Sequence, residues 1–501
     1  MTTHPLELPE ILLRIGHFIP LWVYIPQIDD YHIQPQALVP SILVSKLWCK
    51  TLSPLFWYSY DTEIASEDMP HSTVAHFSPY IKILRATPRQ VWPFECTNLR
   101  ELVMRRDTDK LYNFRGRFFG YTVLESERQM VRSNQGLKVL DWAGPLIQTS
   151  TLDANDFVQL RQLQSLTLSY WDSVGGELGR VLQAVAGSLR RLCVGYVTGN
   201  QDDDEAYMTR DMVSKHGSRT LALPKLESLR LNIDRSDNCL GVIRCCPNLT
   251  TFSASINGGL IEDARRLAKD LYDFCPKLTT LILEQNEGEA ADLIVAACSA
   301  GNRLSKIKIT MAGVNTDTSS AIALHAATLK DVIIVNLYDS RTYTAALTPP
   351  VSCPGLKSFH YISYDFPTRE SLALKYILVE AWNCRELEIL ELDIPIEPEV
   401  VRYDRDGKKV EEEEEEEEEE YSTDCVSEVI ESWYFHPQAS FASGRKGSIR
   451  SVPRRHFDEL LRRFQEMKSV QVVVLSGRVF TRSSDPSSAV DPRIRARFLD
   501  G

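Results

Sequence analysis

Residues 275–286 read CPKLTTLILEQN, and the spacing of three leucines within this stretch decides the fold of the chain. Leu278 is followed after three residues by Leu281 and after two more by Leu283, directly downstream of a Cys-Pro pair. The alternation at Leu281 and Leu283 is typical of a short strand with one buried face, because successive side chains of a strand point to opposite sides of a sheet. Such a stretch is either a lone strand or one copy of a repeat.

The same spacing, with an apolar residue at each of the three positions, recurs along the chain. Copies begin at Leu99, Leu137, Leu163, Leu189, Leu226, Leu249, Leu278, Leu304, Leu329, Leu356 and Leu387, with a twelfth at Val470. The steps from Leu226 to Leu387 are 23, 29, 26, 25, 27 and 31 residues. A spacing of this kind indicates a repeat array rather than a set of unrelated strands.

The chain between these strands is predicted to form helices. The segments 263–275, 291–302 and 371–384 have apolar residues at three- and four-residue steps. A strand and a helix cannot bury their apolar faces alone, so neighbouring units are expected to stack into a curved solenoid with the strands on the concave side. Small buried cysteines are expected where a helix closes before a strand: Cys246, Cys275, Cys353 and Cys384. The predicted fold class is therefore α/β, an irregular solenoid of about 11–12 β-α units.

Charge and cysteine usage argue against several classes of protein. The formal charge of the 501-residue chain is -12, but Glu411–Glu420 is a run of ten glutamates, which leaves about -2 for the rest. A nearly neutral body lacks the basic surface with which proteins neutralise phosphates, so no nucleic-acid partner is expected. The eleven cysteines are scattered without a Cys-x-x-Cys pair, so neither a metal nor another cofactor is expected.

Targeting and catalytic motifs are also missing from the sequence. No apolar stretch is long enough to span a membrane and the first residues do not resemble a secretory signal, so a cytoplasmic or nuclear location is expected. The sequence contains no phosphate-binding glycine loop, no G-x-S-x-G and no His-Glu-x-x-His. A non-enzymatic protein is therefore expected.

The first sixty residues predict a separate helical module. The stretch 6–20 places Leu8, Ile11, Leu12 and Ile15 at helical spacing around Pro9, and more apolar helical sequence follows at 37–61. One interpretation is a cap that covers the end of the first repeat, since the end of a solenoid needs covering.

A second interpretation of this module comes from family resemblance. The sequence resembles an F-box in its residues Leu8, Pro9, Ile11, Leu12, Ile15, Val44, Lys46, Trp48, Pro54 and Trp57. The segment between Pro20 and Gln36 is longer than is usual in that family. The repeats resemble the cysteine-containing leucine-rich repeats of F-box proteins, and an F-box followed by such repeats is a familiar order among fungal proteins. The resemblance implies a small all-helical module ahead of the solenoid.

The resemblance also implies a function, the substrate-recognition adaptor of an SCF-type E3 ubiquitin ligase. Such an adaptor binds Skp1, and through it a cullin, and holds an unknown target protein on its repeats. The implied Skp1 contacts are Leu8, Pro9, Ile11, Leu12, Val44 and Trp48, with Ile15 and Trp57 inside the module. Outward positions of the strands would form the target-binding concave face: Glu101, Arg105, Arg191, Arg230, Glu284, Lys306, Lys308, His360, Glu391 and Asp393.

The whole chain is predicted to contain six segments. These are an F-box-like module at 1–60, a linker or N-terminal cap at 61–94, leucine-rich repeats at 95–400, a disordered acidic insertion at 401–445, a last repeat or C-terminal cap at 446–480 and a disordered tail at 481–501. Two other functions stay open. One is a leucine-rich-repeat scaffold without a ubiquitin role, and the other is a GTPase-activating protein of the Ran type, which also combines such repeats with an acidic stretch.

Overall fold

A computed structural model of the chain describes the following residues: 8–19, 22–25, 30–33, 35–62, 69–86, 95–104, 125–143, 154–169, 177–195, 221–234, 239–257, 261–286, 294–296, 298, 304–311, 316–336, 348–363, 372–373, 382–393, 396–397, 434–435, 464, 467, 469–475 and 478–481. The acidic run Glu411–Glu420 and residues 482–501 of the predicted tail lie outside them. Two compact units are present. The first holds the described residues up to Ala254, with Asp273–Lys277, and the second holds Ser255–Tyr272 and the described residues from Leu278 onward.

The N-terminal module of the first unit contains helices and one strand pair. Its elements are α1 (Pro9–Phe18), β1 (Trp22–Ile25), β2 (Asp30–Ile33), α2 (Val39–Ile42) and α3 (Lys46–Phe56). The prediction of an all-helical module is wrong, because β1 and β2 pair antiparallel between α1 and α2. The sequence of this segment contains Pro20, Pro26 and Pro35, which disfavour one continuous α-helix, and its aromatic and β-branched residues favour strands.

Close packing of α1 on α3 forms the core of the module. Leu12 and Gly16 lie on the inner side of α1, and Leu12 is completely buried. A Cβ atom at Gly16 would lie 2.7 Å from Leu55 Cδ1 and 2.8 Å from Leu52 Cδ2, so the glycine permits the close approach of the two helices. The N-terminus of α3 is capped by Ser45, whose Oγ accepts a hydrogen bond from the Trp48 N–H at 3.2 Å.

Parallel strands in chain order form the sheet of the first unit. The elements are β3 (Ser59–Asp61), α4 (His71–Phe77), β4 (Ile83–Ala86), β5 (Glu101–Met104), α5 (Glu125–Ser133), β6 (Val139–Ala143), α6 (Ala154–Phe157), β7 (Ser165–Ser169), α7 (Glu177–Val185), β8 (Arg191–Gly195), β9 (Ser228–Asp234) and β10 (Thr251–Asn257), whose residues up to Ala254 belong to this unit. Each strand from β3 to β8 pairs in parallel with the strand that follows it, ending with the pair of β8 and β9.

The second unit repeats this arrangement. Its elements are most of α8 (Ile261–Phe274), then β11 (Thr280–Asn286), β12 (Lys306–Met311), α9 (Thr316–Ala323), β13 (Asp331–Asn336), α10 (Thr348–Ser352), β14 (Ser358–Ser363), β15 (Leu372–Ala373), β16 (Ile389–Asp393), β17 (Ile396–Glu397), β18 (Tyr434–Phe435), β19 (Val472–Leu475) and β20 (Arg478–Thr481). Strands β11, β12, β13, β14, β16 and β19 pair in parallel in that order, whereas β20 is antiparallel to both β19 and β18.

All twelve predicted repeat copies form strands, from β5 to β14 and then β16 and β19. The apolar positions of the pattern are the core, as in the copy at Leu163, where Leu163, Leu166 and Leu168 are all completely buried. The α/β fold with solenoid-like repeated units is therefore present in each unit.

The predicted helices are only partly observed. The helix predicted at 263–275 is α8. In the segment 291–302 the described residues 294–296 and 298 are helical, and the others lie outside the described residues. The helix predicted from 371 is wrong at Leu372–Ala373, because these residues pair as a strand with Ile396–Glu397, and pairing overrides local helical preference.

Two strands before the first predicted repeat extend the sheet at its N-terminal side. Strand β4 was expected to lie in a linker, but Ile81, Leu84 and Ala86 have the repeat spacing and are at most 3% exposed. Strand β3 begins where a helix was predicted to continue, two residues after Trp57. The repeated strand unit therefore starts within the F-box-like sequence rather than near residue 95.

The cysteines that precede strands are buried as predicted. Exposed fractions are 0% for Cys246, 3% for Cys275, 0% for Cys353 and 1% for Cys384. Burial raises the pKa of the Cys353 thiol to about 11 and that of Cys384 to about 12. These thiols are therefore protonated at neutral pH and act as small apolar side chains.

A buried histidine gives the second unit a pH-dependent stability. His325 is 1% exposed, its Nε2 lies 2.9 Å from the Val295 carbonyl oxygen, and burial lowers its pKa. An unfolded histidine has a pKa of about 6.5, so below that pH the unfolded state binds more protons than the folded state. The free energy of unfolding is therefore expected to fall by up to about 1.4 kcal/mol per pH unit as pH decreases from about 6.5 toward the lowered pKa.

Urea unfolding of wild type and His325→Gln, measured from about pH 7.5 to about pH 5, checks this expectation. These pH values lie on either side of the ordinary pKa of histidine. Glutamine retains an N–H donor for Val295 but does not titrate, so the variant should lose part of the acid destabilisation. The exposed His71→Gln is the matched control. Equal pH dependence in wild type and His325→Gln would contradict the prediction.

Candidate protein-interaction surfaces

The N-terminal module exposes an unusual amount of apolar surface. Among the described residues, eleven large hydrophobic side chains are exposed and six of them lie in this module. We call these six the N-terminal apolar surface: Leu8, Leu13, Phe18, Val39, Leu43 and Val44. The largest exposures are 87% for Phe18, 77% for Leu43 and 62% for Val44. Exposed apolar residues concentrated in this way mark an interaction site more often than scattered ones do.

Local sequence explains why these side chains are not buried. In α1 the inner positions are taken by Leu12 and Gly16, so Leu13, one residue further along, faces outward. Leu43 and Val44 fall between the end of α2 and the Ser45 cap that starts α3, where neither helix covers them.

The residues implied as Skp1 contacts do not all belong to this surface. Leu8, Pro9 and Val44 are exposed, and Ile11 and Trp48 are half-buried. Leu12 is 0% exposed, so the expectation that it faces a partner is wrong. The motif does not distinguish Leu12 from its neighbours, but its position one turn before Gly16, on the side of α1 that packs on α3, does.

Trp57 is internal to the module, as expected. It is 7% exposed and stacks on Phe77 of α4, with ring centroids 4.7 Å apart. The ring of Tyr60 in β3 also stacks on Trp57, with ring centroids 6.1 Å apart. The end of α3 is thus joined to the first strand of the sheet by an aromatic cluster. Ile15 is half-buried.

Eight of the ten predicted target-binding residues have described side chains, and these eight fall into three groups. Arg191 and Arg230 are exposed on β8 and β9. Four others are half-buried and lie in ion pairs: Glu101 Oε1 with Arg85 at 3.8 Å, Lys306 with Asp331 at 2.7 Å, and Lys308 with Glu284 at 4.0 Å. Arg105 and the side chain of Asp393 lie outside the described residues.

His360 and Glu391 form the third group, and for them the predicted exposure is wrong. Their exposed fractions are 3% and 0%. The His360 Nδ1 lies 2.5 Å from Glu391 Oε2, and its Nε2 lies 2.5 Å from Ser358 Oγ. With an ionised glutamate, Nδ1–H donates to the carboxylate and Nε2 accepts from the serine hydroxyl. The chain therefore places this network in its interior, where it joins β14 to β16.

Sequence reasoning missed Leu13, Phe18, Val39 and Leu43, which the structure exposes beside Val44. The missed signal is the helical wheel of α1, on which positions 13 and 18 lie away from 12 and 16. Among the described residues no group of three His, Cys, Asp or Glu side chains is arranged to hold a metal ion. No helix in the described part of the chain is long and apolar enough to cross a membrane.

The sequence matches no protein-family model, and comparison with curated proteins finds no significant match.

Proposed function

We propose that the chain is the substrate-recognition adaptor of an SCF-type E3 ubiquitin ligase, with Skp1 bound by the N-terminal module and a target protein held by the strand face of the repeats. The exposure of the N-terminal apolar surface carries the proposal. Leu43 and Val44 are uncovered although the same module buries Leu12, Leu38 and Leu52 completely. Side chains left outside an otherwise well-formed core are explained by a partner that covers them.

The mechanism of such an adaptor is proximity. An adaptor holds a target protein next to a ubiquitin-loaded enzyme, and this raises the effective concentration of the reacting groups without chemistry of its own. Exposed outward strand residues, such as Arg191 and Arg230, are the proposed target contacts. They lie on parallel strands whose apolar alternate positions fix them on one face of the sheet.

A specific observation favours the second candidate, a leucine-rich-repeat scaffold whose helices only cap the sheet. Leu12 is buried within the chain, and Trp57 stacks on Phe77 and Tyr60 next to the first strand. A module that covers the end of a repeat array makes such contacts. Skp1 binding separates the two candidates.

Wild-type protein is expected to bind purified Skp1 in a direct binding measurement. The double variant Leu43→Ser with Val44→Ser is expected to bind Skp1 with an affinity lower by about 30-fold or more, the size of effect seen when central apolar residues of an interface are removed. The matched control is Val158→Ser with Leu324→Ser. These two apolar side chains lie outside the N-terminal module, and their exposed fractions are 54% and 55%. A folded wild type that does not bind Skp1, or equal losses in both variants, would favour the scaffold.

A further inference from the structure

The exposed charged side chains on helices α1 and α3 are mostly basic. In α1 and α3 the exposed charged residues are Arg14, Lys46 and Lys50 against Glu10, which gives three positive charges and one negative. His17, also exposed, adds a further positive charge when protonated.

Apolar and basic residues share one face of α1. This face carries four exposed side chains, which follow one another at steps of one, three and one residues: Leu13, Arg14, His17 and Phe18. Residues at such spacing lie on the same side of a helix, whereas Leu12 and Gly16 face α3. A partner that covers Phe18 therefore also meets Arg14 and His17.

The start of α3 places positive charge where helix formation disfavours it. Lys46 is the first residue of α3, Lys50 follows one turn later, and the first turn contains no acidic residue. The N-terminus of a helix carries partial positive charge, so carboxylates rather than lysines stabilise it. Local arrangements that oppose folding preferences are typical of functional sites. Leu43 and Val44 immediately precede these lysines.

We infer that the N-terminal apolar surface docks into an apolar groove bordered by carboxylates on an acidic protein partner. The inference rests on the proposed function and adds the chemistry of the partner surface. Arg14, Lys46 and Lys50 steer the acidic partner toward the module, and the apolar side chains then fill its groove. Charges at the edge of an interface chiefly raise the association rate, and salt screens them.

Association and dissociation rates with purified Skp1, measured at about 50 and about 500 mM salt, test this steering. The association rate of full-length wild type is expected to fall at least about tenfold between the lower and the higher salt concentration. At low salt the double variant Lys46→Glu with Lys50→Glu is expected to associate at least about tenfold more slowly than wild type, with a smaller change in its dissociation rate. The control is Lys138→Glu with Lys225→Glu, an equal charge change at exposed positions, which should have little effect.

A second probe separates this inference from the proposed function. The dye 8-anilinonaphthalene-1-sulfonate combines an apolar ring system with one negative charge, and its fluorescence reports binding to the folded protein. Its affinity should fall both in Lys46→Glu with Lys50→Glu and in Leu43→Ser with Val44→Ser, but not in Lys138→Glu with Lys225→Glu. If Skp1 does not bind while the dye results hold, the proposed function fails and the acidic-partner inference stands. Dye affinity unchanged by the Lys46 and Lys50 reversal, or Skp1 association independent of salt, overturns the inference.

Discussion

Glu391→Leu is expected to lower the free energy of unfolding by about 1–3 kcal/mol, because it leaves the buried Nδ1–H of His360 without its hydrogen-bond acceptor. Glu391 is 0% exposed and its Oε2 lies 2.5 Å from the Nδ1 of His360, itself 3% exposed. In the variant the imidazole stays buried after losing its carboxylate partner. Leucine restores the apolar volume, so the loss measures the polar interaction rather than a cavity.

The double variant His360→Leu with Glu391→Leu is expected to be more stable than Glu391→Leu, within about 1 kcal/mol of wild type, because replacing both partners of a buried hydrogen bond by apolar side chains can be nearly neutral. Urea unfolding of the wild type, the two single variants and the double variant gives the coupling energy. The control is Glu388→Leu, since Glu388 is 47% exposed and pairs with Lys357 at 3.2 Å. Its expected loss is below about 1 kcal/mol. A loss of that small size for Glu391→Leu as well would show that the His360 contact contributes little.

The burial of this pair shows what strand alternation can and cannot predict. Alternation correctly assigns His360 and Glu391 to the face opposite the leucine core, but it does not tell whether anything covers that face. Strand β12 alternates half-buried Lys306 and Lys308 with core residues, whereas Ile333 and Val335 of β13, on the same outward positions, are each 7% exposed. The continuous apolar run at 332–335 is typical of a strand buried on both sides and was the available signal.

Most of the strand array was predictable because the repeat pattern is redundant. Twelve copies support one another, so a weak copy such as that at Val470 is identified by the apolar spacing that it shares with the others. The strand β4 was missed although Ile81, Leu84 and Ala86 fit the apolar spacing of the pattern. Pairing between distant residues, as in β1 with β2 or β15 with β17, depends on tertiary contacts that local periodicity does not contain.

The N-terminal apolar surface was predictable only in part, because a sequence motif identifies residue types whereas the geometry of the packed helices determines which of those residues are exposed. The motif selects Leu12 together with Leu8, although the inner side of α1 is set by Leu12 and Gly16 one turn apart. Phe18 and Leu43, the most exposed apolar residues of the described chain, belong to no motif position. Only the packing of α1 on α3 distinguishes the core residues of the module from its free apolar surface.

Asn134→Ala is expected to lower the free energy of unfolding by about 2–4 kcal/mol, because three buried backbone groups lose their partner. Asn134 stands three residues before Leu137, at the position occupied by cysteine in several other repeats, and is 1% exposed. Its Oδ1 accepts the Leu99 N–H at 2.7 Å, and its Nδ2 donates to the carbonyl oxygens of Cys96 at 2.6 Å and Met130 at 2.7 Å. One side chain thus joins the turn before β5 to the end of α5.

Thermal or urea unfolding of Asn134→Ala and Asn134→Cys distinguishes these hydrogen bonds from simple filling of space. Cysteine matches the other repeats in size, but its thiol is a weak donor and cannot reproduce three amide hydrogen bonds, so Asn134→Cys should recover only a small part of the loss. Asn248→Ala is the control, because Asn248 is only partly buried and both of its side-chain hydrogen bonds are exposed: it donates to the Pro224 carbonyl oxygen at 2.7 Å and accepts from Lys277 Nζ at 2.7 Å. Its expected loss is about 1 kcal/mol or less. Full stability in Asn134→Cys would mean that this position needs a small side chain rather than a hydrogen-bonding one, and that the repeats on either side are held together by leucine packing alone.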